Sequence, residues 1–128
     1  MITVRDLSPE AVAAMAIVDL ATVTEEPASA IEAFEFHGCQ CGVAAFKGGP
    51  PWELHTGGDE LLHVLAGSTR LRVRQPEGET VRELHAGDIA VVPRGCWHRN
   101  DAAEGVTVLF MTPIEGNRHS FGEPPVGD

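Results

Sequence analysis

The clearest alternation in the chain is Arg70-Leu71-Arg72-Val73-Arg74, which places two aliphatic side chains on one face and three arginines on the other. That is the period of a strand with one side on a core and the other toward water. Short apolar runs surround it, each stopped by turn residues: Ala33-Phe34-Glu35-Phe36 before Gly38, Cys41 to Phe46 before Gly48-Gly49-Pro50-Pro51, and Leu61 to Leu65 before Gly67-Ser68. Beyond the turn Pro76-Glu77-Gly78-Glu79 come Val81 to Leu84, the tight turn Ala86-Gly87-Asp88, Ile89 to Val92, and Val106 to Met111. Short strands at this spacing predict an all-β sandwich or barrel. The pattern before residue 31 is different. Ser8-Pro9-Glu10 reads as a helix start, with a capping hydroxyl, a proline suited to the first turn and an acid at the positive end. Ala11 to Ile17 supply good helix formers, so a short helix is predicted against the outside of the domain or across a partner subunit. Glu25 to Ser29 read as a connection, and no element is predicted in the Gly- and Pro-rich stretch after Pro113. The expected organisation is an N-terminal helix and connecting segment over 1–30, a barrel over 31–113 and a tail over 114–128.

A length of 128 residues with 43% hydrophobic and 22% charged residues fits one globular domain with its own core. The formal charge of −10, from nine basic and nineteen acidic residues, argues against nucleic acid and anionic membrane surfaces as partners. Ala11 to Ile17 is too short to span a bilayer and lacks a basic leader, so neither secretion nor anchoring is expected and the location is read as cytoplasmic. Three cysteines do not make a disulfide framework. Cys39 and Cys41, two apart on one strand face, are expected to pack as small residues, in keeping with a reducing compartment.

Two blocks set metal-ligating residue types at strand spacing beside turn glycines. One is Trp52-Glu53-Leu54-His55-Thr56-Gly57-Gly58-Asp59-Glu60 running to Gly67; the other runs from Gly87-Asp88 through Pro93-Arg94-Gly95 to His98. Together they resemble the paired motifs of the cupin superfamily. His55, Glu60 and Gly67 match the second His, the Glu and the closing Gly of its first motif, while Glu53 stands where the first His is usual. Gly87, Pro93, Gly95 and His98 match the second motif without a gap, and its trailing Asn comes early, at Asn100. The resemblance covers residues 33 to 112. It implies a double-stranded β-helix, the jelly-roll cupin barrel, with a short N-terminal helix beside it; cupins being commonly homodimers, a homodimer is expected.

On that resemblance the barrel interior receives Glu53 and His55, which project to one side of their strand, and Glu60 on the same side as Leu62 and Val64, with His63 outward. His98 would face them from a separate strand. Ionisable groups converging in an apolar interior are explained by a cation, since an unpaired carboxylate there is costly to desolvate. Glu53, His55, Glu60 and His98 are therefore the expected ligands of a divalent metal ion, with iron, manganese or zinc suited to imidazole and carboxylate donors. Glu53 keeps three other readings: orienting a ligand histidine, binding substrate, or serving as catalytic general base. Trp52 and Trp97 flank the blocks and are expected either to shape a substrate pocket or to cover the barrel ends. Asp59 reads as a loop residue, Arg94 and Arg99 as outward-facing, and His37, His63, His85 and His119 as surface or turn histidines. With no Arg or Lys placed inside, a neutral or metal-chelating small molecule is the expected ligand or substrate. The leading reading is a metal-dependent enzyme acting on a small organic molecule, with oxygenase preferred to isomerase, lyase or cyclase. The alternative is a non-catalytic small-molecule or metal-binding module, and a third reading is a purely structural scaffold.

Overall fold

A computed structural model describes residues 1–21 and 25–125. Of the segments delimited from sequence at the two ends, residues 22–24 and 126–128 lie outside the described residues. The elements are α1 (Pro9–Ala13), β1 (Val18–Leu20), β2 (Phe34–Phe36), β3 (Cys39–Gly48), β4 (Trp52–His55), β5 (Glu60–Gln75), β6 (Gly78–His85), β7 (Ile89–Val92), β8 (His98–Pro113) and β9 (Asn117–Ser120). This is an all-β double-stranded β-helix with one short helix, as expected.

Two strands of 16 residues, β5 and β8, form the frame. They run antiparallel from Leu61 opposite Met111 to Val73 opposite His98, with register shifts between Val64 and Ala66 and between Gly67 and Arg70. The two runs read separately from the sequence, Leu61 to Leu65 and Arg70 to Arg74, are thus one strand bent at a bulge, which lets the sheet curl. Gly67 sits at that bend with φ 75°, and a Cβ there would lie 2.3 Å from the Gly105 carbonyl oxygen. Only glycine allows both the backbone conformation and the close approach of the two strands. β3 pairs with the other edge of β8, β6 and β7 pair with β5, and β1 runs parallel to β3. The two-residue turn His37-Gly38, with φ 50° and 76°, joins β2 to β3 in the primed geometry that matches strand twist.

The main core gathers Phe46, Leu62, Val64, Leu71, Val73 and Val108 with their neighbours. A second cluster, Trp52, Leu54 and Trp97, is buried separately. The arginine face of β5 does more than meet water: Arg72 and Arg74 lie 5.0 and 4.8 Å from the Trp52 ring centroid and roof this second cluster. Ser8 caps α1 through its hydroxyl, as its sequence context predicts, but the helix ends at Ala13 and not at Ile17. Val12 is its single buried side chain, so little apolar burial is available to extend it, and short helices need such burial. Among the described residues no helix is long and apolar enough to cross a membrane.

The stretch after Pro113, for which no element is predicted, contributes β9, paired along the whole of β4 from Trp52 opposite Ser120 to His55 opposite Asn117. β4 also meets β8 at Glu53 opposite His98. That placement of a tail strand beside the first motif shapes the site.

Candidate metal centre

β4 is a four-residue strand bounded by Pro50-Pro51, which cannot donate to a ladder, and by the Gly57-Gly58 loop. Its alternation sends Trp52 and Leu54 to the second cluster and Glu53 and His55 to the opposite side, into a cavity of about 420 Å³. The two motif blocks are tied by backbone: the Gly95 N–H donates to the His55 carbonyl at 2.9 Å, and the Arg94 N–H donates to Asp59 Oδ1 at 2.8 Å. Asp59 is the loop residue expected of it, with a structural bond to Arg94. The tie brings His98, at the start of β8, over Glu60, at the start of β5.

Four side chains converge: Glu53, His55, Glu60 and His98 each offer a donor atom, and these atoms lie within 4.8 Å of one another. His98 Nε2 is 3.0 Å from Glu60 Oε1; His55 Nε2 is 3.4 Å from Glu60 Oε2 and 3.3 Å from Glu53 Oε2. His55, Glu60 and His98 are 4, 5 and 2% exposed, while the Glu53 side chain keeps 22% of its surface toward the cavity. Glu60 also accepts from the Thr112 hydroxyl. The His98 Nδ1–H donates to the Cys96 carbonyl at 3.3 Å, leaving Nε2 for the cluster.

Burial opposes charge on His55, yet the facing Glu53 and Glu60 carboxylates outweigh that and raise its pKa from 6.5 to about 10. Burial likewise opposes the Glu60 anion, but His55 and His98 overcome it and bring its pKa down to about 2. A cluster of two imidazoles and two carboxylates in this environment calls for positive charge. The donor chemistry and one orphaned atom both fit a divalent metal ion: His55 Nε2 is fully buried, faces both carboxylates and makes no hydrogen bond of good geometry.

The structure therefore brings together all four side chains named as ligands from the sequence. It does not bring the indoles to them: Trp52 and Trp97 are 1 and 3% exposed, lie with Leu54 in the second cluster and do not line the cavity. Indoles on the outer face of β4 and just before β8 fill space under arginines and face away from the cavity. Arg99, expected to face outward, lines the cavity, with its Nε 2.8 Å from Asp101 Oδ1. His63 is half-buried between Leu62 and Val64 of β5 and is not among the cavity residues, in keeping with its parity.

Three cavity residues were not legible as site residues. His119 of β9 lies opposite Glu53, and its Nε2 is 2.5 Å from Glu26 Oε1. Burial and the neighbouring Glu53 carboxylate raise the Glu26 pKa. Asn117 Oδ1 is 2.8 Å from His55 Nδ1. None of the three sits in a periodic segment or a recognisable spacing; the pairing of β9 with β4 brings in Asn117 and His119, and the connection before β2 brings Glu26 to His119.

Residues 44–112 match the family model described as "Cupin domain". No curated protein matches the chain by sequence. Among solved structures, a protein from Neisseria meningitidis is similar at 22% identity over 87% of this chain and 99% of its own, with a TM-score of 0.60. A conserved protein with a double-stranded β-helix domain from Klebsiella pneumoniae is similar at 21% identity over 76% of this chain and 86% of its own, with a TM-score of 0.59. A variant of the oxalate decarboxylase of Bacillus subtilis is similar at 15% identity, with a TM-score of 0.57; the likeness covers 64% of this chain and only 24% of that one. At these identities the likeness is one of fold.

Proposed function

The chain belongs to the cupin domain family, and from that premise we propose that it is a divalent-metal-dependent enzyme acting on a small organic molecule held in the barrel cavity. The observation that carries this reading is the cluster itself: four donor atoms within 4.8 Å of one another, on the wall of a cavity of about 420 Å³. Manganese(II) centres are named for the oxalate decarboxylase of Bacillus subtilis, whose fold is similar, and iron, manganese and zinc all suit the donors present here.

When bound, such an ion supplies Lewis acidity toward a substrate oxygen and, as iron(II), redox chemistry with dioxygen. Glu60 and His98 hold their places through one another, Thr112 and the Cys96 carbonyl. The partly exposed Glu53 carboxylate faces the cavity beside His55 and is the candidate general base, able to accept a proton from a substrate atom above the cluster. Phe46, Leu62, Val108 and Phe110 give the cavity an apolar wall that limits water. With His55, Glu60 and His98 as the ligands, the donor set is two histidines and one carboxylate, the type used by non-haem iron oxygenases. Oxygenase is accordingly the reaction type preferred here over isomerase, lyase or cyclase.

The test is elemental analysis of protein purified without chelator or affinity metal, followed by oxygen-uptake and product assays of the iron-, manganese- and zinc-loaded protein against small metal-chelating acids and diols. Near-stoichiometric metal with turnover that requires it supports the reading. Metal bound with no turnover of any kind favours the non-catalytic binding module, and no metal after reconstitution overturns the centre altogether.

A further inference from the structure

The two cluster histidines are oriented in different ways. His98 is held by the Cys96 carbonyl two residues before it in the chain, whereas His55 meets a side chain 62 residues away, Asn117 of the tail strand β9. The Asn117 amide has its direction fixed by two further contacts: Nδ2 donates to the Pro113 carbonyl at 2.7 Å and to the Ile114 carbonyl at 3.3 Å. Rotating the amide by half a turn would set its oxygen against those two carbonyl oxygens, so Oδ1 is the atom that faces His55. An amide oxygen can only accept. The His55 Nδ1 atom must therefore carry the proton, and Nε2 is the atom left to point at Glu53 and Glu60.

The support behind Asn117 is equally specific. Asn117 stands directly opposite His55 in the β4–β9 register. Just before it, Gly116 takes φ 81°, its carbonyl accepts from both the Thr56 N–H and the Thr56 hydroxyl at 3.0 Å, and a Cβ on it would lie 2.2 Å from Thr56 Oγ1. The residue after His55 thus clamps the residue before Asn117, and the two side chains are held side by side.

We infer that Asn117 is a positioning residue of the metal centre: it holds the His55 ring with Nδ1 protonated and Nε2 presented to the ion, so the C-terminal strand β9 is part of the site. The inference rests on the reading of the cluster as a metal centre. It predicts that loss of the acceptor weakens metal binding through His55 alone.

Zinc is the probe, being diamagnetic. Zinc affinity and the imidazole N–H signals are measured on the full chain for wild type, Asn117→Leu and Asn117→Asp. In Asn117→Leu, zinc affinity is expected to fall by about 10- to 100-fold. The exchange-protected His55 Nδ1–H signal should be lost there, while that of His98 stays. Asn117→Asp keeps an acceptor toward Nδ1 although its second oxygen meets the Pro113 and Ile114 carbonyls, so it should retain the protected Nδ1–H signal and recover part of the affinity, a rescue that a merely structural role would not produce. Unchanged affinity in Asn117→Leu, with water replacing the amide, overturns the inference. So does a wild-type His55 whose Nδ1 bears no protected proton. Should Asn117→Leu fail to fold, Asn117→Asp and the wild-type signals decide. If wild type binds no metal, the proposed function fails, yet the Nδ1–H signal still tests the hold of Asn117 on the ring.

Discussion

The two faces of β4 are made from alternate residues of one tetrapeptide, and they are buried for opposite reasons. On one face Trp52 and Leu54 pack against Trp97, with Arg72 and Arg74 over one indole and Arg118 at 5.6 Å from the centroid of the other. On the other, Glu53 and His55 meet Glu60 and His98 in the cavity wall. Withdrawing an indole from water is favourable in proportion to its apolar area and is indifferent to pH. Withdrawing carboxylates and imidazoles is unfavourable unless each is compensated by a partner or a cation. The strand therefore separates stability from chemistry by parity alone, and the two can be perturbed independently.

The strongest attack on the polar face is His98→Ala, expected to abolish near-stoichiometric metal content while leaving the fold intact by circular dichroism. Unchanged metal in elemental analysis would remove His98 from the centre. The strongest attack on the apolar face is Trp52→Ala, expected to cost about 3–5 kcal/mol in denaturant unfolding, because a fully buried indole is replaced by a void. Metal content of the folded fraction should not change; a variant that lost metal and kept its stability would reverse the comparison.

A third test uses pH, to which only the polar face responds. In the metal-free protein His55 has its pKa raised from 6.5 to about 10, so its contribution is complete below 6.5 and is lost as pH rises through 10. Glu60 is lowered from 4.5 to about 2, so its contribution is present above 4.5 and is lost as pH falls through 2. Both act fully between pH 4.5 and 6.5, and the metal-free chain should lose stability progressively above that window. A bound ion needs the unprotonated Nε2, so stabilisation by added metal should grow over the same rise in pH. Thermal melts at pH 5.5 and 8.5, with and without metal, read both effects; identical metal-induced shifts would contradict them. The smallest effect is expected for Arg72→Ala, which removes a cation over Trp52 and ion pairs to Glu79 and Asp101. It should cost about 0.5–1 kcal/mol, less at high salt, with no effect on metal binding.

Much of this was legible before any coordinates. Glu53 and His55, two apart, had to share a side; Glu60 and His98 matched the motif spacing, and all four converge. Gly67 closed a motif because two backbones touch there. The arginine alternation gave a strand and its core face correctly, but not the indole beneath the arginines. A Trp at either edge of a motif has no parity partner in the sequence to say which layer it enters, so Trp52 and Trp97 read equally well as pocket or as cover. The tail was opaque for a different reason: Asn117 to Ser120 show no alternation, because three of the four residues are exposed and the strand is held by its ladder to β4.

By itself the sequence determined most of the barrel strands and which four donor side chains could converge, because alternation, turn glycines and motif spacing are local and act through the backbone geometry of a few neighbouring residues. The tertiary structure alone decided which buried layer each face joins, that Arg99 turns to the cavity, and that Glu26, Asn117 and His119 reach the site. These depend on contacts between residues as far apart as His55 and Asn117, which are set by curling the sheet and by the pairing of β9 with β4, and no spacing along the chain encodes them.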